Sequence, residues 1–600
     1  MRDLSIAASQ PRPAVLARLL PGGALLGALE AALLAVLLAL AGLGITGYRF
    51  GDSNHSISVP ILKHLMDPRL YPGDIVVATS PRFSTVTYQV LALALPGRDA
   101  IPVAFFALHL LTLALILGAA YRIGRWLTGP ATGALAALAS VPVHLGLAGS
   151  ALYRPAFTHS SIGAALGLWA LAAFLEGRRV LPLLLLSLGA YNHLLYSGYL
   201  LVPLTIIVLW EWRHRGTMPT LAALAAAVVP LVPLAAWHLS HRTPLTAEWL
   251  ELLRLRSEHH SLPSAFGGSV TEASLLLALA ALTLSRLPEA RQRLLVLLIA
   301  GIGVQFVLGT VFSEVFPVKA VLQYQPHRSW TFLGALLRSL VAAGVVAGFG
   351  AGGAARIAAV LAAGAAFVPG LAPLLGTAVV AAAGWSRPEP RPWARVLALA
   401  AVVSLSAWTP RAPEFAFLRE LPEALSTRVV VESAALALLL LRARDARVPL
   451  RASAVAGVAL ALVLWVVPGA YRASRLRWEW GPWIDVQRWV RQNTPTSAVV
   501  LTPPQQTGFR VFSERTIVGE WKDGTQQYFD AGFAAEWDRR MQALDPERYH
   551  RMPPAELREV ARRYGAEYIV TRAEPARPSF ELLYRNDEYA VYRGVPFGTP

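Results

Sequence analysis

The sequence predicts a polytopic α-helical membrane protein carrying a small α/β domain outside the membrane. Three observations predict this. Hydrophobic residues make up 55% of the 600 positions and charged residues 15%, where an ordinary soluble chain carries about 25% charged. Apolar stretches long enough to cross a bilayer recur through residues 1–469. From about residue 470 the composition turns charged and Pro-containing, with no long apolar run.

The first span runs from about Gly23 to Gly47. Its basic leader has Arg2, Arg12 and Arg18, but the apolar run is too long for a signal-peptide core, so a retained helix is expected. Hydrophobic windows then place spans near residues 35, 110, 138, 167, 185, 203, 228, 279, 302, 338, 362, 378, 402, 435 and 460, about 13–15 crossings in all. The stretches near 185, 362 and 378 are short enough to be half-helices.

Charge supports the alternation. Arg122/Arg125, Arg178/Arg179, Arg213/Arg215, Arg286/Arg291/Arg293, Arg356, Arg387/Arg391/Arg395 and Arg442/Arg444/Arg447/Arg451 fall in alternate loops. Arg in short loops marks the cytoplasmic side. The tail, residues 470–600, is then expected outside, on the outer face of the cytoplasmic membrane of the cell. The same face receives the loop 48–99, the loop 241–269, the segment 313–330 and the loop 409–426. Between Ser56 and Met66, apolar residues at helical spacing (Ile57, Ile61, Leu62, Leu65) suggest a short helix lying on the membrane surface. In the tail, IDVQRWVRQN, EWDRRMQALD and PAELREVARRYG read as helices, and SAVVLTPP, AEYIVTR, FELLYRN and EYAVYRG as strands.

Several classes are excluded. With no cysteine the chain has no disulfide, thiolate metal site or cysteine nucleophile. The net charge of +17 is explained by loop arginines, and no nucleic-acid motif accompanies it. There is no P-loop, HExxH or serine-nucleophile elbow.

Candidate chemistry gathers on the outer loops, where a scaffold commonly presents active residues. Asp52 follows the first span directly. A carboxylate there can take the proton of an acceptor hydroxyl while a sugar leaves its phosphate, or it simply marks where the chain re-enters water. Asn54, His55, Lys63, His64, Asp67, Arg69 and Asp74 follow it in one loop. His259 and His260 can hydrogen-bond a phosphate, although consecutive positions diverge on a helix and make a shared metal unsuitable; the bland alternative is an exposed pair. Arg328 opens a span within QYQPHRSW; its planar fork suits a phosphate, and snorkelling is the alternative. Gln325 and His327 crowd the same segment, as do Glu314, Lys319 and Gln323. Tyr153, Arg154 and His159 precede the fourth span, and Asn192-His193 interrupt the apolar stretch 180–210, either lining a cavity or forming an external hairpin. In the tail Trp521, Lys522, Asp523 and Tyr528 can close over a sugar, or Trp521 packs in the domain core. Trp478, Trp480 and Trp483 read as core or interface aromatics.

In layout the chain resembles the GT-C superfamily of integral membrane glycosyltransferases: an inside N-terminus, one span, an outer loop opening with Asp52, many spans and an outer C-terminal domain. GDSNHSISVPILKHLMDPRLYPGD, RSEHHSLPS, QPHRSW and WVRQNTPTSAVVLTPP with GFRVFSERTIVGEWKDG are similar to an uncharacterised bacterial subgroup of that superfamily. The resemblance implies inverting transfer of a sugar from a polyprenyl-phosphate carrier to a glycan, lipid or protein acceptor, among membrane lipids and without nucleic acid. It implies Asp52 as base, with Arg328, His259, His260 and Arg69 on the lipid phosphate. Members commonly carry an acidic pair in this loop; here Ser53 follows Asp52, which leaves a divalent cation cofactor open, with Asp67 or Asp74 as the second carboxylate. The rival classes are a lipid-linked sugar transporter or flippase, which would need polar residues in paired, interrupted spans, and a non-catalytic assembly protein.

Overall fold

The expected spans centred at residues 35 through 378 each fall within a helix of the computed structural model. The structure describes residues 32–396 and 481–594, except 33, 37, 41, 45, 52, 83–84, 242–243, 368–374, 386–388, 390, 393 and 578. The spans near 402, 435 and 460, the loop 409–426, Trp478, Trp480, the N-terminal arginines and Asp52 therefore lie outside the described residues.

The long helices include Ile101–Thr128, Glu289–Thr310 and Trp330–Ala351. Leu93, Val103, Met218, Val229 and Val307 stand exposed on helix surfaces, as side chains facing lipid do. This is a multi-pass membrane protein. Val180–Trp210 has the length of one long span but is two legs. His193 takes an extended conformation, φ −152 and ψ 95. The legs fold back so that Arg179 reaches Glu211 at 2.8 Å, a contact that a straight helix of this length, about 46 Å, forbids. The Asn192-His193 break is thus a tight turn between two antiparallel legs.

The basic loops meet at one end of the bundle. Arg122 pairs with Glu176, Arg179 with Glu211, Arg291 donates to the Leu127 carbonyl, and the Arg391 amide donates to Ser285. The loops 48–99 and 241–269 and the segment 313–330 gather under the C-terminal domain.

That domain is a five-stranded sheet of β1 (Val499–Leu501), β2 (Thr516–Ile517), β3 (Tyr568–Arg572), β4 (Leu582–Arg585) and β5 (Tyr589–Arg593), ordered β2-β1-β3-β5-β4. The first three are parallel, and β5 runs antiparallel to β3 and β4. The helix Pro482–Asn493 covers one face with Val486 and Val490, and Trp483 packs there against Phe509 and Tyr589. The helices Ala531–Leu544 and Pro554–Tyr564 contribute Trp537, Met541 and Leu557 to a second cluster. The latter helix ends at Gly565 in the left-handed conformation.

The second cluster does not stop at the domain boundary. It runs from Trp537 and Ile569 through Val511 to Ile57, Leu62, Phe105 and Phe157. The helix at 56–66 therefore differs from expectation. It forms as His55–Met66, but His55 through Lys63 are buried. The domain sits on the helix and converts a would-be surface element into part of a shared core.

Candidate anion site between the loops and the C-terminal domain

The site starts from the helix Ala247–Ser261 in the loop 241–269. Thr246 caps it, accepting from the Trp249 amide at 3.1 Å. Ser257 leaves helical geometry (φ −143, ψ 20), so the last turn tips His259 and His260 toward the loop 147–150. His260 Nδ1 meets the Ala148 carbonyl at 2.7 Å. That bond fixes Nδ1 as the donor and leaves Nε2 with a free lone pair. The approach needs Gly149, at φ +63, where a Cβ would fall 3.1 Å from the His260 ring.

Arg328 faces this pair from the segment preceding the helix Trp330–Ala351. Its Nη1 donates to Gln325 Oε1 at 2.9 Å, and its Nε is buried without a protein partner. Gln325 holds a left-handed backbone, φ 51 and ψ 60, a strained setting for a non-glycine residue that is often found at functional sites. The wall opposite comes from the C-terminal domain's short helix Trp521–Tyr528. Tyr528 OH contacts Ser261 at 3.1 Å, Gln323 donates to the Tyr528 carbonyl at 2.8 Å, and Arg256 Nε donates to the Trp521 carbonyl at 2.8 Å.

Cations dominate the electrostatics, with Glu258 the acidic group whose charge reaches His259. Burial, then Arg256, Arg328 and Lys522, hold the His259 pKa below its usual value. Burial and Arg328 push His260 down to about 2. Burial and Arg328 also lower Arg154, from the segment after the loop 147–150. Two neutral imidazoles thus sit among four fixed cations, and no carboxylate pairs with Arg328 among the described residues. Such an arrangement is a ready receptor for a phosphate.

The structure brings His259, His260, Gln325, Arg328 and Lys522 together, with Trp521 half-buried at the edge, 5.9 Å beneath Arg256. It places the others elsewhere. His327 points away, between Phe266 and Phe306, with Nε2 on Thr310 and its pKa pushed down by burial to about 4. Arg69 is exposed and bonded to Asp67 at 2.9 Å. Asp74 is fully buried against Arg510 at 2.6 Å and accepts from the Val76 amide. Asp523 is also buried on Arg510 rather than over a sugar. His55 is a pin: its Nδ1 accepts from the Gly51 amide at 3.0 Å and its Nε2 meets the Phe157 carbonyl at 2.6 Å. That pin fixes the turn on either side of residue 52, and the Arg49 amide bonds the Pro155 carbonyl at 2.6 Å. The turn thus packs on the segment 154–157, whose Arg154 feels Arg328. Gly508, at φ +84, lies so close to this turn that a Cβ would meet the Gly51 oxygen at 2.2 Å.

Arg256 was not anticipated. Its signal was spacing alone, three and four residues before the histidines. No three His, Asp or Glu side chains gather as a metal site among the described residues.

A family model described as a domain of unknown function, DUF6798, matches residues 481–544. No curated protein matches the chain. Among solved structures, the chain is similar to ArnT from Cupriavidus metallidurans bound to undecaprenyl phosphate, at 15% identity over 96% of this chain and 99% of that one, with a TM-score of 0.39. It is also similar to the archaeal oligosaccharyltransferase AglB from Archaeoglobus fulgidus in complex with an inhibitory peptide and a dolichol-phosphate, at 14% identity over 90% of this chain and 69% of that one, with a TM-score of 0.30.

Proposed function

We propose that this protein is a membrane glycosyltransferase of GT-C type, taking a sugar from a polyprenyl-phosphate carrier to an envelope acceptor on the outer face of the cytoplasmic membrane. The observation that carries this reading is Arg328: a guanidinium at the membrane end of a lipid-embedded bundle, paired with no carboxylate among the described residues, facing two neutral imidazoles under an external domain. A lipid phosphate supplies the missing negative charge, and its chain lies along the bundle.

Asp52 takes the acceptor hydroxyl proton in this reading. The acceptor oxygen attacks the anomeric carbon from the face opposite the phosphate, the C–O bond to phosphate breaks, and the carrier leaves as a phosphate monoester held by Arg328 with His260 and Lys522 beside it. The sugar configuration inverts. The resemblance assigns Asp52 its role, and the pinned turn at Gly51 and His55 supports it. Proteoliposomes given labelled polyprenyl-phosphate sugar test the proposal. Covalent transfer to an acceptor that disappears in Asp52→Asn, with unchanged thermal unfolding, is the expected result. Full activity of Asp52→Asn removes that residue, and movement of the labelled lipid without any product favours a flippase.

A further inference from the structure

The two neighbours of residue 52 both have left-handed backbones, Gly51 at φ +90 and Ser53 at φ +54. Glycine adopts such a conformation freely. Serine does not, and strain of this kind persists only where the surroundings over-determine it. From within the same loop, the His55 pin supplies part of that constraint. The rest comes from the C-terminal domain, through its short helix Phe509–Ser513. The Phe512 ring lies against Gly51, with Cε2 only 2.6 Å from where a Gly51 Cβ would be, and it meets Phe50 edge-on at 5.9 Å. Gly508, one residue before the helix, approaches the Gly51 carbonyl so closely that neither glycine has room for a methyl group.

A helix of this length is not stable by itself, yet it is held from both sides. Within its own domain, Glu520 accepts from the Gly508 and Phe509 amides at 3.0 and 2.9 Å, and Arg510 is bonded to Asp523. From the loop 48–99, the Tyr71 hydroxyl donates to the Arg510 carbonyl at 3.0 Å and the Lys63 ammonium donates to the Val511 carbonyl at 2.8 Å. Docking alone is provided for by the shared apolar core and by the Arg510 bond to Asp74. It does not account for a ring seated on the glycine beside residue 52, or for two facing glycines with positive φ. We propose that the helix Phe509–Ser513 is a positioning element, with Phe512 and Gly508 as its contacts: it fixes the backbone on both sides of residue 52, which makes the C-terminal domain part of the transfer machinery. Its importance for transfer rests on the function proposed above; its ordering of the turn does not.

The full-length protein in nanodiscs, compared with Phe512→Ala, Phe512→Leu, Gly508→Ala and Thr516→Val, tests this. Hydrogen exchange read by mass spectrometry should be about tenfold faster for the amides of residues 49–56 in Phe512→Ala, with the sheet unchanged. Phe512→Leu keeps a bulky apolar group on Gly51 and should restore most of the protection. Thr516→Val removes a bond between the same two regions, from the Thr516 hydroxyl to the Pro72 carbonyl at 2.9 Å. It should leave both residues 49–56 and transfer as in the parent. In transfer assays Phe512→Ala should lower kcat about ten- to a hundredfold, the effect of misplacing a reacting group, with KM for the polyprenyl-phosphate sugar unchanged. Gly508→Ala should act in the same direction, and Phe512→Ala carries the test if that variant does not fold. Unchanged exchange at residues 49–56 in Phe512→Ala, or an equal rise in Thr516→Val, overturns the assignment. So does a raised KM with kcat intact, which would make Phe512 a substrate contact. Exchange is read without turnover, so it holds whether or not Asp52→Asn is active, and the two proposals fail separately.

Discussion

Two arginines act on the short helix Trp521–Tyr528, Arg510 through its bonds to Asp523 and Arg328 through its charge on Tyr528, and their surroundings are inverted. Arg510 is fully buried, with Nη1 and Nη2 on the two Asp523 oxygens at 2.9 Å and Nε on Asp74 at 2.6 Å. Arg328 gives one nitrogen to a neutral amide, leaves its Nε without a partner, and shares its space with Arg154, Arg256 and Lys522. A guanidinium whose charge is balanced inside the protein serves the fold. One whose charge is left over is a place for a ligand.

The balanced side is a clamp between the loop 48–99 and the C-terminal domain. Glu520 accepts from the Gly508 and Phe509 amides, and burial with the neighbouring Asp523 pushes its pKa up to about 8. Nearby, Lys63 donates to Glu514 at 2.7 Å and to the Val511 carbonyl at 2.8 Å. Burial alone would raise Glu514, but Lys63, Arg491 and Arg98 bring it below the usual value. The largest effect is therefore expected from Arg510→Met. It leaves Asp74 and Asp523 buried and uncompensated, a loss of about 3–5 kcal/mol. Thermal unfolding should shift down strongly and limited proteolysis should release the external domain. An unchanged midpoint would mean that the clamp is not what joins the two regions.

Arg328→Gln should do the reverse. With no counter-ion among the described residues to orphan, stability should hold within about 0.5 kcal/mol, as for changes that disturb no packed or paired feature. Transfer should fall about 10²–10³-fold, the cost of losing one preorganised charge stabiliser. If both variants lose stability together, the distinction between the arginines collapses.

How much of this contrast was legible beforehand depended on distance along the chain. Spans are local, and apolar length found them, as did the Asn192-His193 break that became the turn between two legs. In the tail, alternation found β1, β3, β4 and β5, but β2 has only Thr516 and Ile517 and no pattern to show. Asp74 and Arg328 looked alike as charged residues near the outer membrane face. What separates them is an oppositely charged partner 436 residues away, Arg510, in one case and, among the described residues, no carboxylate partner in the other. His55 looked like a ligand and is a backbone pin for the same reason: its partner, the Phe157 carbonyl, is 102 residues off. Asp52 lies outside the described residues, so its role rests on its sequence position and on the turn that flanks it.

The smallest predicted effect sharpens the unbalanced side. In the free protein, burial and the cations Arg256, Arg328 and Lys522 depress His259, and His260 is pushed to about 2. Depressed folded-state values mean that the neutral imidazoles contribute stability above the unfolded pKa, about 6.5. That contribution is lost progressively as pH falls below it, so the free protein should weaken in acid. A bound phosphodiester carries a constant charge across this range and offsets the cations, which raises His259 toward its ordinary value. Binding must then take up a proton, so by linkage the affinity for a polyprenyl-phosphate sugar should rise severalfold between pH 8 and 5.5. Calorimetry in buffers of different ionisation enthalpy reads that proton directly. His259→Gln should flatten the pH slope while keeping most of the affinity at pH 8, whereas Asp74→Asn should not change the slope at all. A slope that survives in His259→Gln would place the titrating group elsewhere, and with it the phosphate.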